Sequence, residues 1–157
     1  MGIQDLLKKA FRYADCKRCE LQNWLTHREI YRKKEKSQEY NRFLLRQVKK
    51  DLEMNHLPVF PKPGADEIRD YERSREEKLR EIDNYQNPDA KKKALANQFI
   101  PIEDVIWVDK VVSFYLAGYA RHIGSVHIYD AVRKELYKKR GYDWYARSEI
   151  FPKIHFD

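Results

Sequence analysis

Apolar and polar positions recur at helical spacing along most of this chain. In residues 3–55 the apolar side chains come in steps of three and four, which is the pattern of an amphipathic helix. The clearest set is formed by Phe43, Leu44, Val48 and Leu52. Residues 32–39 have no apolar member, and a helix that is polar all round lies in solvent or on a charged partner.

A proline-rich strap, HLPVFPKPG at residues 56–64, ends this region. Its three prolines within six residues prevent helix formation and favour an extended, polyproline-like run. Leu57, Val59 and Phe60 are its large apolar side chains. The pattern fits two roles equally well, a simple connector and a segment that lies along a partner's surface.

Helical periodicity returns after the strap and predicts one short helix and several longer ones. The short helix spans residues 87–99, with Asn87 as its N-cap and Pro88 in its first turn. The longer helices span 65–85, 102–121 and 126–140, and the last of them ends at Gly141. The final residues, YDWYARSEIFPKIHFD, are aromatic and irregular.

These elements predict an all-α fold, an extended and non-compact arrangement of about four main helices joined by the strap and followed by an irregular aromatic C-terminal tail. The low glycine content, five in 157 residues, agrees with long helices rather than with sheets and tight turns. Four regions are predicted: a basic N-terminal helical region at 1–55, the strap at 56–64, charged helices at 65–99, and an apolar helical hairpin with the aromatic tail at 100–157.

The most apolar stretch, residues 105–124, is too short and too charged for a conventional membrane span. A spanning helix needs about 20 predominantly apolar residues. The longest uncharged run is the ten residues Val111–Ala120, and such a run makes about 15 Å of helix. A longer run would include Asp109 and Lys110, each of which costs about 2.5–3.5 kcal/mol at the bilayer centre.

The same stretch is apolar on most sides, and this predicts a helix that is buried on most sides. Residues 61–99 offer few large apolar side chains to cover it. We therefore expect other proteins to cover it, using aromatic and apolar residues of this helix, the strap and the tail. The predicted partner-binding residues are Trp107, Val111, Phe114, Tyr115, Tyr119, Phe60, Trp144 and Tyr145.

The net charge of +7 is concentrated in the N-terminal third of the chain. Residues 1–55 hold 14 Lys and Arg against 8 Asp and Glu, whereas the rest of the chain is nearly balanced. Such an excess predicts an acidic partner. For residues 28–50 we expect an acidic protein or an anionic lipid surface, with RNA as the less favoured partner.

The first residues, MGIQDLLKKAFRY, form a short amphipathic segment with basic residues beside its apolar face. Two interpretations stay open, an uncleaved mitochondrial targeting helix and a plain docking helix. Asp5 and Asp15 weaken the first, because targeting peptides are poor in acidic residues. With its eleven tyrosines, basic charge, strap and aromatic tail, the chain resembles in type the supernumerary subunits of mitochondrial complexes.

No motif of a phosphate-binding loop, a metalloprotease, a serine hydrolase or a kinase occurs in the sequence. Cys16 and Cys19, in CKRC, have no second cysteine pair of the kind that a four-ligand structural zinc site uses. We therefore predict no catalytic residue, metal, cofactor or small-molecule substrate, and we expect that the protein is not an enzyme.

The sequence thus favours a non-catalytic accessory subunit whose partners are the other protein subunits of a large assembly. A mitochondrial respiratory-chain or ATP synthase complex is the first choice, which implies an inner-membrane-associated location. The alternative is an accessory protein of a mitochondrial ribosome, with the N-terminal third on rRNA. A third hypothesis is a microtubule-associated structural protein, because tubulin surfaces are acidic.

Overall fold

The structure is a computed structural model, and it describes residues 13–14, 17–18, 20–22, 25, 37–117 and 125–154. Six helices with defined ends lie in these ranges: α1 Ser37–Glu53, α2 Ala65–Asp83, α3 Pro88–Gln98, α4 Ile102–Tyr115, α5 Ser125–Lys139 and α6 Arg147–Ile150. The described residues contain no strand, and the predicted all-α class is confirmed. Cys16, Cys19, Tyr119 and most of residues 3–36, the N-terminal part of the helical region predicted over 3–55, lie outside the described residues.

Helix α1 ends where the strap begins, as the prolines predicted. Asn55 follows the helix with a positive φ of 55°. Its N–H donates to the carbonyl of Leu52 at 3.3 Å, and the N–H of His56 donates to the carbonyl of Asp51 at 2.8 Å. These two bonds form a Schellman motif, which satisfies the last carbonyls of the helix. The strap that follows has no helical residue.

Helix α3 begins at the N-cap that the sequence predicted. The Asn87 side chain accepts the N–H groups of Asp89 and Ala90, at 2.9 and 3.2 Å. Pro88 opens the helix, where its missing N–H leaves no hydrogen bond unmade. Helix α2 begins after Gly64 without a side-chain cap.

Helix α5 ends at Lys139, just before Gly141, the residue predicted to stop it. Gly141 has φ 85°, a left-handed conformation that suits glycine at a helix stop. Helix α4 ends earlier than predicted, at Tyr115 instead of residue 121. A turn follows at residues 116–117, and residues 118–124 lie outside the described ranges.

The tail that was predicted to be irregular contains one helical turn, α6. The Oε2 atom of Glu149 accepts the backbone N–H of Ala146 at 2.8 Å. A glutamate three residues after the start of a helix makes this contact in a capping box. The remainder of the described tail is non-helical, in agreement with the sequence analysis.

The described residues divide into two compact units. The first unit comprises the described residues up to Pro61 together with 110–117. The second comprises 62–109 and 125–154, so that α4 contributes to both. The core of the first unit is formed by Leu44, Val48, Leu52, Val111, Val112, Tyr115 and Leu116. In the second unit α2 packs on α3 and α3 packs on α6, and its most buried side chains include Ile82, Ile106, Val108, Val132 and Leu136.

Helix α4 is covered within the chain to a greater extent than the sequence analysis expected. Ile106 is 1% exposed, and Val108 and Val111 are fully buried. Cover within the chain was expected only from the 126–140 helix, on one side, and this underestimates the chain's own contribution at the buried positions. For residues 111–116 the additional cover comes from long-range packing, because apolar residues of α1, far away in sequence, share the core of the first unit with them.

Candidate functional site

Two places in the described chain have the properties of a binding surface. One is a cleft in the second unit, and the other is the solvent-facing side of α1 in the first unit. The cleft is built by contacts between distant parts of the sequence.

The aromatic tail is fixed to α3 by a reciprocal pair of hydrogen bonds. The Oδ1 atom of Asn97 accepts the N–H of Tyr145 at 2.9 Å, and its Nδ2 group donates to the carbonyl of Tyr145 at 2.8 Å. Asn97 thereby satisfies both backbone groups of one extended residue. The tail begins in a fixed position, which places the side chains around Tyr145.

Trp144 lies against α5, where its ring stacks on that of Tyr137. The ring centroids are 5.6 Å apart, with an interplanar angle of 21°. Further along the tail, Phe151 meets Tyr85 edge-on at 5.2 Å. Contacts of this kind add about 0.5–1.5 kcal/mol to the burial of each pair.

Asp109, near the middle of α4, holds three helices of the second unit together. Its Oδ2 atom accepts the hydroxyl of Tyr71 on α2 at 2.8 Å, and its Oδ1 atom lies 3.6 Å from Nε of Arg133 on α5. Burial, together with the Asp109 charge, raises the pKa of Tyr71 above its usual range. Both oxygens of this carboxylate are therefore in use.

Asp104, one and a half turns earlier on α4, has a similar role. It accepts the hydroxyl of Tyr142 at 2.7 Å and pairs with Arg140 at 3.0 Å. The hydrogen bond to Asp104 raises the pKa of Tyr142. The Arg140 guanidinium also lies 4.0 Å from the ring centre of Trp107, a cation–π contact.

Between these contacts lies a cleft of about 680 Å³, within the 300–1,000 Å³ typical of ligand sites. Its positive side chains are Arg75, Lys78 and Arg147, and Asp109 is its acidic one. One N–H group of Arg75 donates to the carbonyl of Ile100. The cleft has an aromatic lining, formed by Tyr71, Tyr85, Tyr137, Trp144, Tyr145 and Phe151.

In the first unit, Tyr115 is nearly buried, and its hydroxyl donates to Oδ2 of Asp51 at 2.6 Å. The ring of Phe114, half-buried, meets that of Tyr115 edge-on at 5.2 Å. Phe60 is also half-buried. Val111 has no exposed surface.

The solvent-facing side of α1 carries a row of exposed side chains, the α1 stripe: Phe43, Arg46, Lys50 and Met54. The steps of three and four residues place them on one side of the helix. Met54 lies just past the last helical residue but still donates its N–H to the carbonyl of Lys50, as a helical residue would. Phe43 is 53% exposed and Met54 is 51% exposed.

The structure thus brings together only some of the predicted partner-binding residues. Trp144 and Tyr145 line the cleft, whereas Trp107 lies under Arg140 and does not line it. Phe60, Val111, Phe114 and Tyr115 belong to the first unit. Their partner-binding roles stay predictions, and for Val111 the buried side chain offers a partner no surface.

Sequence analysis missed Arg75, Tyr137, Asn97 and Met54. Arg75 and Asn97 are single polar residues in charged or polar helices, and no local pattern distinguishes them. The α1 stripe could have been detected from the sequence, because Phe43 does not lie on the helix face shared by Leu44, Val48 and Leu52.

Among the described residues, no group of three or more His, Cys, Asp and Glu side chains is arranged to hold a metal ion. Nor does any helix there combine the length and apolar content that crossing a bilayer requires. Comparisons with models of protein families, with curated proteins and with solved structures found no match to this chain.

Proposed function

We propose that this protein is a non-catalytic accessory subunit of a large multi-protein assembly, which it joins through the α1 stripe. In the finer form of the proposal, the assembly is a mitochondrial respiratory-chain or ATP synthase complex at the inner membrane. The observation that carries the proposal is the stripe itself, in which two large apolar side chains flank two basic ones on an exposed helix face.

The α1 stripe has the mixed chemistry of a protein interface. Burying Phe43 and Met54 against a partner would remove apolar surface from water, which is the main driving force of association. Arg46 and Lys50, between them along the helix, suit carboxylates at the rim of such a contact. Single exposed apolar residues are ordinary on a protein surface, but here they are aligned with the basic residues on one face.

The use of polar side chains in the second unit also supports a structural role. Asp109, Asp104 and Asn97 each join separate elements of the unit through two polar contacts. Side chains committed to such contacts hold the fold and are poorly placed to exchange protons with a substrate.

The mitochondrial part of the proposal is supported by the sequence. The N-terminal third carries nearly all of the net positive charge, and a basic amphipathic segment opens the chain. A basic surface of this kind also suits an anionic lipid surface beside a membrane complex, where each Lys or Arg contributes about 1 kcal/mol.

The test is affinity purification of the tagged full-length chain from cells that assemble the complex. The double variant Phe43→Ser/Met54→Ser is compared with the wild type and with Glu53→Gln, a change at an exposed polar position of α1. We expect the wild type and Glu53→Gln to retain the same set of proteins. The double variant should lose at least about tenfold, since interface anchors contribute about 2 kcal/mol or more. Retention equal to the wild type would contradict the proposal.

A second candidate function is RNA contact, and one observation favours it. Arg42, Arg46, Lys49 and Lys50 are all exposed on α1, and basic residues on one helix are suited to phosphates. If they lie on RNA, retention should fall steeply between about 50 and 200 mM salt. If the chain is held by apolar burial, salt should have little effect, because exposed ion pairs contribute about 0–1 kcal/mol each. We expect the weak salt dependence.

A further inference from the structure

The cleft in the second unit contains a cation without a matching anion. Arg75 is half-buried, and within the described ranges no carboxylate lies at ion-pair distance from its guanidinium. Burial lowers the pKa of Arg75, and the charge of Glu72 opposes this effect only in part. One of its five N–H groups is used by the carbonyl of Ile100. The others are available to a ligand in the cleft.

Tyr137 forms part of the cleft lining and supplies a second unused polar group. It is only 3% exposed, yet its hydroxyl makes no hydrogen bond within the described part of the chain. Buried polar groups are normally paired. A ligand oxygen that reached Tyr137 would satisfy this hydroxyl.

The charges of the cleft select an acidic ligand. Its single lining carboxylate, Asp109, is already engaged by Tyr71 and Arg133. Arg147 adds to the positive charge of Arg75, whereas Lys78 is paired with Glu81 at 2.9 Å. A ligand carboxylate would meet charge-assisted hydrogen-bond donors in the cleft, whereas a ligand cation would find its lining carboxylate already engaged.

The aromatic lining indicates that the carboxylate comes from a protein. Tyr, Trp and Arg are the residues that most often dominate protein interfaces, and the cleft combines Arg75 with Trp144 and Tyr145. Trp144 is held by its stacking on Tyr137 and Tyr145 by its backbone bonds to Asn97, so that both are preorganised for binding.

We propose that the cleft binds an acidic peptide segment of a partner protein. Arg75 pairs with a carboxylate of the segment, and the Tyr137 hydroxyl donates to the same group. Trp144 and Tyr145 contact the apolar side chains that flank it. That the bound segment belongs to another subunit rests on the proposed function. The cleft itself is a surface separate in sequence from the α1 stripe.

The test uses the purified full-length protein and fluorescence anisotropy of labelled short peptides. One probe alternates Glu with Phe and Leu, and a second has Gln in place of every Glu. Arg75→Gln removes the cation and Tyr137→Phe removes only the hydroxyl. Lys92→Gln, at an exposed position of α3 that does not line the cleft, is the control.

We expect the acidic peptide to bind and the Gln peptide to bind at least about tenfold more weakly. Arg75→Gln should weaken binding by a similar factor, Tyr137→Phe by several-fold, and Lys92→Gln should have no effect. The proposal is overturned if the acidic peptide does not bind, if Arg75→Gln and Tyr137→Phe both bind like the wild type, or if inorganic phosphate or free glutamate displaces the peptide at equal concentration.

The two proposals fail separately. Loss of peptide binding in the purified wild-type chain removes the cleft proposal and leaves the recovery of assembly partners unaffected. Normal recovery of partners by Phe43→Ser/Met54→Ser removes the α1 stripe and leaves the anisotropy result unaffected.

Discussion

Most large apolar side chains of the second unit face inward, although Phe99 and Ile154 are exposed, whereas the first unit aligns two exposed ones, Phe43 and Met54, along one face. Tyr137 and Trp144 stack on each other in the second unit, and Leu136 is completely buried. In the first unit Phe43 and Met54 are more than half exposed on α1. The second unit thus shows how the chain is held together, and the exposed side chains of the α1 stripe are the basis of the proposed partner surface.

The largest effect that sharpens this comparison is expected from Leu136→Ala. Removing a completely buried leucine leaves a cavity and should lower the free energy of unfolding by about 2–5 kcal/mol. Met54→Ser, at an exposed position just past α1, should change it by no more than about 0.5 kcal/mol. Denaturant unfolding of both variants checks this, and equal losses would erase the distinction between the two positions.

Asn97→Ala should produce the next largest effect. It should lower the free energy of unfolding by about 1–3 kcal/mol, because it leaves the N–H and carbonyl of Tyr145 without their partners. Amide hydrogens of the tail should then exchange faster with solvent, and proteases should cut faster near Tyr145. Gln98→Ala, at the neighbouring position of α3, serves as the control. Unchanged exchange at the tail in Asn97→Ala would show that the reciprocal bonds do not fix it.

A smaller loss of stability, about 1 kcal/mol, is expected from Arg140→Gln. The change removes the ion pair with Asp104 and the cation–π contact with Trp107. Arg140→Lys keeps the charge but loses the planar stacking group, so it should fall between the wild type and Arg140→Gln. Thermal unfolding measures the order, and Trp107 fluorescence reports the contact. A stability of Arg140→Lys equal to that of Arg140→Gln would assign the whole effect to stacking.

The smallest effect concerns pH. Burial alone would raise the pKa of Glu149, but hydrogen bonds from Lys134 and the Ala146 N–H outweigh it and lower the pKa. The group therefore stabilises the folded state above the pKa of the unfolded chain, and this stabilisation is lost as pH falls through the lower, folded-state pKa. After solvent screening it amounts to roughly 0.5 kcal/mol.

Glu149→Gln should accordingly be less stable than the wild type near neutral pH and equally stable in acid, below the lowered pKa of Glu149. Denaturant unfolding at several pH values measures the difference. A difference that grows as the pH falls would contradict the direction given for this pKa.

Local signals in the sequence predicted the helices well, because a helix start or stop depends on a few neighbouring residues. Asn87 and Gly141 are examples, and the prolines of the strap ended α1 where expected. The early end of α4 at Tyr115 had no local signal of this kind.

Long-range contacts could not be predicted in the same way. The pairing of Asn97 with Tyr145 joins residues 48 positions apart, and nothing in either segment specifies the other. For the same reason the cover that α1 gives to residues 111–116 was not anticipated, and other proteins were expected in its place. Arg75 is inconspicuous among the many charges of α2, and only the folded structure shows that it lacks a carboxylate partner.

The central claim is that the α1 stripe places this protein in a large assembly. The most direct measurement is the fraction of the tagged full-length chain that sediments with a large complex, compared between the wild type, Glu53→Gln and Phe43→Ser/Met54→Ser. The account predicts that the first two sediment with the complex and that the double variant shifts to small, folded species. The claim would be contradicted if the double variant stayed with the complex, or if the wild type were recovered only as a free monomer.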